Sequence, residues 1–327
     1  MVAETAKPGE FELIRRFFSR PHAPQSGVVL GIGDDAAVLA LPPDAQLVTA
    51  VDTIVSGRHF PVGTDPRSIG HRALAVNLSD LAAMGATPAW MTLALTMPEV
   101  NEAWLERFSS GMLDLADAHG VTLVGGDTTR GPLTVSVQIL GYVQRGTALC
   151  RGGGRAGDLL AVTGTLGDGG AGLAFLKSPP EAGIRAAALE LVHRFDYPAP
   201  RVGFGLAARG IARAAMDISD GLVADLPKLA QASGVAAHVE VERLPLSSAM
   251  RAAVPASQAR DWALAAGDDY ELLLAVPAER YAKLEAAADR LDLRLTTIGE
   301  LRAGGGVTWS LNGEDFTPGV RGWDHFA

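Results

Sequence analysis

Short apolar runs with a two-residue alternation recur between helical patterns along this chain, and the pattern breaks clearly once, at Arg151-Gly-Gly-Gly-Arg155. Alternation of period two predicts half-buried strands, and apolar spacing of three and four predicts helices packed on them. Before the break, strands are expected at 28–30, 46–54, 121–124 and 133–143. In the last of these, Leu133, Val135, Val137 and Ile139 alternate with polar residues. Helices are expected at 68–84, through Ile69, Leu74, Leu78 and Leu81 with Gly85 as stop, and at 101–119, with Asn101 as cap and Gly120 as end. After the break come strands at 158–163, 214–218, 235–241, 271–276 and 293–298, helices up to about residue 210, and helices at 221–232 and 278–290. A helix at 11–18, followed by a turn region with Pro21 and Pro24, reads as a docking arm. Mixed α and β structure in both halves, over 327 residues of which 48% are hydrophobic, predicts two α/β domains, 1–150 and 151–327.

The single cysteine, Cys150, has no internal disulfide partner. The N-terminus lacks the apolar stretch of a signal peptide, and no apolar run approaches the roughly 20 residues that span a bilayer. A cytoplasmic protein without membrane contact is expected. The net charge of −9 opposes a polyanion, so nucleic acid is not an expected partner. Lysine occurs only at Lys7, Lys177, Lys228 and Lys283, none of them in a phosphate-binding loop motif.

The aspartates cluster beside glycines or at the polar ends of apolar runs. Asp34 and Asp35 follow Gly31-Ile-Gly33, and Asp52 ends Val48-Thr-Ala-Val. Asp80 lies in Asn77-Leu-Ser-Asp, Asp127 follows Gly125-Gly126, Asp217 and Asp220 bracket Ile218-Ser219, and Asp268 and Asp269 follow Gly267. Each alone reads equally as a turn former or helix cap. Together they suit magnesium, which takes oxygen ligands, keeps waters, and is held by one or two carboxylates plus substrate phosphates. The seven histidines show no paired metal spacing, and one cysteine builds no zinc site. An ATP-dependent enzyme is the expected class.

Two other phosphate motifs compete. Gly31-x-Gly33-x-x-Ala36 fits a dinucleotide fingerprint, but Asp34 and Asp35 fill its variable positions, where two carboxylates repel a pyrophosphate. The chain contains no G-x-x-x-x-G-K-[ST] loop. Gly164-Thr-Leu-Gly167-Asp-Gly169-Gly170 either faces a phosphate with its N–H groups or is a plain strand-to-helix turn. Arg130 and Arg151 are either phosphate contacts or surface ion pairs.

At motif level the chain resembles the thiamine-monophosphate kinase family, within the superfamily that includes aminoimidazole ribonucleotide synthetase and selenophosphate synthetase. The resemblance runs through Gly9-Glu-Phe-Glu-Leu-Ile14, Gly31-Ile-Gly-Asp-Asp35, Asp52-Thr53, Gly57-Arg-His-Phe60, Asn77-Leu-Ser-Asp-Leu-Ala-Ala-Met-Gly85, Gly125-Gly-Asp-Thr-Thr-Arg-Gly-Pro132, Asp217-Ile-Ser-Asp-Gly221, Gly267-Asp-Asp-Tyr-Glu271 and Gly322-Trp-Asp-His-Phe326. It implies ATP- and Mg2+-dependent in-line phosphorylation of thiamine monophosphate to thiamine diphosphate, without a nucleophilic side chain and with several magnesium ions. It also implies a homodimer in which the sheet of an α/β N-terminal domain pairs with that of a second subunit, a larger α/β C-terminal domain, and an active site between the domains. Carried over by position, Asp35, Asp52, Asp80, Asp127, Asp217 and Asp220 are the metal-holding set. Gly126, Asp127, Arg151 and Ser219 contact nucleotide, and His59, Asp268 and Trp323 contact the thiamine substrate.

Two departures stand out. Ala50-Val51 replaces the hydroxyl residues frequent before the aspartate matched by Asp52, and Asp268 replaces a frequent glutamate, with a side chain about one methylene shorter. Rival readings are another synthetase of the superfamily and a non-catalytic nucleotide or magnesium sensor. Cys150 does not match the reactive N-terminal cysteine of selenophosphate synthetases, and the end of the sequence at His325-Phe-Ala327 lacks the cysteine-bearing tail of the hydrogenase-maturation relatives.

Overall fold

The computed structural model describes residues 9–20 and 26–323, with backbone alone at positions 10 and 11. The turn expected at Pro21 and Pro24, and the last three residues of the Gly322-Trp-Asp-His-Phe326 motif, lie outside the described residues. The strands are β1 (Val28–Leu30), β2 (Val38–Leu39), β3 (Ala45–Val55), β4 (Thr87–Met97), β5 (Thr122–Arg130), β6 (Thr134–Gln144), β7 (Leu159–Thr163), β8 (Ala214–Ile218), β9 (Ala236–Glu240), β10 (Glu271–Val276), β11 (Leu295–Arg302), β12 (Val307–Leu311) and β13 (Glu314–Phe316). The α-helices are α1 (Glu10–Leu13), α2 (Pro66–Ala83), α3 (Glu102–Ala118), α4 (Asp168–Lys177), α5 (Arg185–Asp196), α6 (Val202–Ala208), α7 (Leu222–Ser233), α8 (Ser248–Ala253), α9 (Ala256–Ala265) and α10 (Tyr281–Arg290). Among the described residues no helix is long and apolar enough to cross a membrane.

The chain folds into two compact units whose segments interleave along the sequence. The first is Met1–Pro43, Thr49–Asn77 and Pro88–Leu140; the second is Asp44–Val48, Leu78–Thr87 and Gly141–Ala327. Residues 44–48, 78–87 and 141–150 thus group with the C-terminal part.

The first unit is built around a four-stranded sheet of order β3-β6-β4-β5. The expected alternation holds in β6, where Val135, Val137 and Ile139 are buried between more exposed neighbours. Two strands differ from expectation. β4 carries no clear two-residue alternation in sequence, and β5 continues past Val124 through Gly125, Gly126 and Asp127, because parallel pairing with β4 holds Asp127 opposite Ala94.

Asp65 starts α2: its carboxylate accepts the Arg67 N–H at 3.0 Å and its carbonyl accepts the Ile69 N–H. Asn101 caps α3 by accepting the Trp104 N–H at 3.0 Å. The two helices cross at glycines. A Cβ at Gly70 would stand 2.0 Å from the Phe108 carbonyl oxygen, and one at Gly111 would stand 1.9 Å from that of Arg67. Gly111→Ala is therefore expected to force the helices apart and cost about 1–3 kcal/mol of stability, read by urea unfolding. An unchanged midpoint would contradict the close crossing. The N-terminal arm docks as expected. A π-helical turn at Ile14–Phe18 packs Phe18 edge-on against Phe108 at 6.4 Å, and Arg16 and Arg20 pair with Glu102 and Asp117 of α3.

The second unit holds a seven-stranded sheet of order β13-β12-β9-β11-β7-β10-β8. β10, next to the edge strand β8, is buried at every position, as a strand covered on both faces should be. Its neighbours β7 and β8 run antiparallel to it, which sets Asp217 of β8 opposite Leu272. Leu160, Val162, Met216, Leu226, Leu229, Val239, Leu273 and Ile298 form the core beneath.

Candidate active site

In the first unit, the turn after β1 and the bulged end of β5 face a common cavity of about 700 Å³ lined by Asp34, Asp35, Gly125, Gly126, Asp127 and Thr128, among others. Backbone geometry makes this approach possible. Gly126 has φ +150°, and a Cβ there would lie 1.9 Å from the Leu93 carbonyl oxygen, so no larger residue allows β5 to run this close to β4. Asp35 and Asp127 are both exposed, and among the described residues neither has an ion-pair partner. The Asp35 N–H donates to the Asp34 carboxylate at 2.8 Å, so Asp34 shapes the turn and Asp35 faces outward. No helix follows this turn, in keeping with the rejection of the dinucleotide fingerprint.

Asp52 lies half-buried within β3 and Asp80 half-buried within α2. Only Asp35 and Asp220 of the six expected metal residues stand on turns; the others project from strands or a helix. His59 follows β3, and its Nδ1 accepts the Val55 N–H at 3.0 Å, which leaves the ring proton of the neutral form on Nε2.

The second unit gathers the rest. Buried Asp217 accepts the Ser79 hydroxyl at 2.8 Å, with Asp80 next along the chain. Past β8, the Ser219 carbonyl accepts the Asp268 N–H and the Asp220 carbonyl accepts the Trp323 N–H, each at 2.9 Å. Backbone bonds thus join Ser219, Asp220, Asp268 and Trp323 in one place, with Trp323 45% exposed. Arg151 is exposed in its loop, where its carbonyl accepts the Ser233 hydroxyl.

Three further residues organise this part; Asp269 stood out in the sequence beside Gly267, and Asp225 and Lys228 did not. Asp225, on the first turn of α7, is buried and accepts the N–H groups of Ser219 and Asp220 at 3.1 and 2.9 Å. Lys228 bridges Asp225 and Asp220 at 2.9 Å each. Burial works against the Lys228 charge, but the two carboxylates outweigh it and raise its pKa. Asp269 is buried and accepts the N–H of Gly167 at 2.7 Å and of Gly169 at 3.3 Å. Those two N–H groups of the Gly164-to-Gly170 loop are thereby satisfied by the protein's own carboxylate, which favours the plain strand-to-helix turn over a phosphate cradle.

Burial raises the pKa of Asp225 and pushes that of Asp269 well above the ordinary 3.8. A raised folded-state value means that each contributes stability fully below about 3.8 and loses it as pH rises through the folded pKa. The only sequence signal for Lys228 was its three-residue spacing from Asp225 on a helix.

Among the described residues no three His, Cys, Asp or Glu side chains gather closely enough to hold a metal ion by themselves. The donor set still fits magnesium. It is all oxygen, it includes two exposed carboxylates without a paired cation at one cavity, and magnesium completes its octahedron with water and phosphate.

Comparison with known proteins covers most of the chain. Residues 33–143 match the model of the AIR synthase related protein, N-terminal domain, and 155–311 match that of the AIR synthase related protein, C-terminal domain. The chain is 46% identical to thiamine-monophosphate kinase of Salmonella typhimurium over 98% of each protein. Among solved structures, it is similar to thiamine-monophosphate kinase from Stenotrophomonas maltophilia, with a TM-score of 0.84 and 47% identity over 90% of this chain and 93% of that one. It is also similar to AaThiL complexed with AMPPCP and TMP, with a TM-score of 0.76 and 33% identity over 90% and 92%.

Proposed function

Since this chain belongs to the thiamine-monophosphate kinase family, with both AIR synthase related domains, we infer that it catalyses that reaction: ATP-dependent phosphorylation of thiamine monophosphate to thiamine diphosphate. The observation in the fold that carries this inference is the convergence of Asp35 and Asp127 on one cavity beside the Gly125-Gly126 bulge. The cavity's lining includes the carboxylates of Asp34, Asp35 and Asp127 and, among the described residues, no lysine or arginine, which suits a cation-bound polyphosphate.

The reaction sets modest chemical demands. The acceptor phosphate has a second pKa near 6, so at neutral pH it is already largely a nucleophile and needs no general base. The difficulty is bringing one anion onto another, which positioning and charge neutralisation solve. Magnesium, when bound, neutralises phosphate charge and aligns the attacking and leaving oxygens. We assign Asp35, Asp52, Asp80, Asp127, Asp217 and Asp220 to hold it. Asp220, which Lys228 meets at 2.9 Å, would share its carboxylate between that ammonium group and the ion. Gly126, Asp127, Arg151 and Ser219 are assigned to the nucleotide. His59 with its Nε2–H, Asp268 and the exposed face of Trp323 are assigned to thiamine monophosphate, whose cationic thiazolium suits an indole face.

The domains are taken as 1–150 and 151–327, joined near the glycine run, in a cytoplasmic homodimer. The edge strand β3 supports the dimer, since it ends its sheet and exposes Leu47 and Val51 at 49% and 64%. Val51→Lys is expected to shift the sedimentation profile to monomer; an unchanged dimer would place the interface elsewhere. For the activity, purified protein with ATP and magnesium is expected to yield thiamine diphosphate and one equivalent of ADP by liquid chromatography, with no product in excess EDTA. Absence of thiamine diphosphate from folded protein would overturn the inference.

A further inference from the structure

The segment Gly267-Asp-Asp-Tyr270 is held in an unusual backbone. Gly267, Asp268 and Tyr270 have φ of +70°, +61° and +52°, a left-handed conformation that L side chains adopt rarely. Such a run persists only when its surroundings over-determine it. On one side, the N–H groups of Asp268 and Tyr270 donate to the carbonyls of Ser219 and Ile218 at 2.9 Å each. On the other side stands the turn into α4. There the two oxygens of the Asp269 carboxylate divide between two donors, Oδ2 taking the Gly167 N–H and Oδ1 the Gly169 N–H. The backbones meet closely enough that a Cβ on Gly169 would fall 2.3 Å from the Asp268 carbonyl oxygen and 2.9 Å from its Cβ. The Asp268 carboxylate itself accepts the Tyr270 hydroxyl at 3.1 Å.

We propose that Asp269 is a positioning residue for the acceptor side of the reaction: by clamping the 267–270 turn onto the N–H groups of Gly167 and Gly169, it fixes the direction in which Asp268 presents its carboxylate to thiamine monophosphate. The inference rests on the assignment of Asp268 to the substrate. It explains how a carboxylate one methylene shorter than glutamate can serve there, because the backbone that carries it is immobilised from both sides. Asparagine cannot replace Asp269 in this role, since it offers one acceptor oxygen and would turn its amide N–H groups toward the second donor.

The test is steady-state kinetics on four variants of the full chain, each at a temperature where its circular dichroism matches the parent. Asp269→Asn is expected to raise KM for thiamine monophosphate roughly tenfold, the effect of losing one buried hydrogen bond, and to leave KM for ATP within about twofold. Gly169→Ala, which keeps the Asp269 carboxylate and the residue-169 N–H but pushes a methyl group against Asp268, should show the same split. Asp268→Ala should raise the same KM, and adding Asp269→Asn to it should change nothing further. If Asp268→Ala leaves KM for thiamine monophosphate unchanged, the substrate assignment fails. If it raises that KM while Asp269→Asn and Gly169→Ala do not, or if the double variant shows additive losses, the positioning role fails. Unfolding of both Asp269→Asn and Gly169→Ala even in the cold would also overturn it, by making the contact one of stability alone.

Discussion

Asp127→Asn is expected to lower kcat by roughly 10²–10³-fold, the loss that follows removal of a charge aimed at the reacting phosphates. The same substitution should shift folding stability by less than about 0.5 kcal/mol, as an exposed change does. The two expectations follow from one geometry. Asp127 is exposed on β5, lines the cavity with Asp35, and makes no side-chain hydrogen bond or ion pair among the described residues. Its place in the sheet is set by backbone pairing opposite Ala94, which asparagine preserves. Loss of activity without loss of stability is the result expected of a residue so placed at the cavity. Asp80→Asn should act in the same direction on activity. Retention of near-parental kcat by Asp127→Asn would remove this residue from the metal set and with it the role assigned to the cavity.

Glu271→Gln has the largest expected effect on stability, about 3–5 kcal/mol, the cost of breaking a buried ion pair by removing one partner. Glu271 is fully buried, and both its oxygens are used. Oε1 accepts from Arg194 at 3.0 Å and from Arg201, while Oε2 accepts from Arg201 Nε at 2.7 Å and from the Thr163 hydroxyl at 2.6 Å. Glutamine would leave two guanidinium groups short of an anion and set its own amide N–H groups against one of them. Against a total stability of order 5–15 kcal/mol, this is a large fraction, and the melting midpoint should fall by on the order of 10 °C. A midpoint within about 2 °C of the parent would mean that the network is solvated and contributes little.

The repeating elements were legible because burial imposes a period. β6, β8, β10 and α3 fall within about a residue of the expected limits, and the pattern in each is one-sided or, in β8 and β10, apolar at all but one position. β4 was not visible, because Thr87–Met97 is buried along most of its length without a clear alternation. The short helices α8 and α9 and the β12 and β13 pair were missed for a similar reason, being brief and fixed by tertiary packing.

The candidate site divides in the same way. Asp35, Asp127, Asp220 and Trp323 stand out as candidates because a carboxylate or an aromatic ring in a glycine-flanked motif is visible in one dimension. Asp225, Lys228 and Glu271 were not, since their meaning depends on partners: Asp225 reaches back to the N–H groups of Ser219 and Asp220, and Glu271 meets Thr163 and Arg201 from far along the chain. The role proposed for each carboxylate comes from the motif-level resemblance, since no periodicity encodes it.

Direct transfer between the two substrates is tested most directly by a rapid-quench single turnover with ATP labelled at the γ-phosphate, thiamine monophosphate and magnesium. The label is predicted to pass from ATP to the terminal phosphate of thiamine diphosphate, with none on the protein at any time. Label that appears first on the protein, or that never reaches thiamine diphosphate, would contradict it.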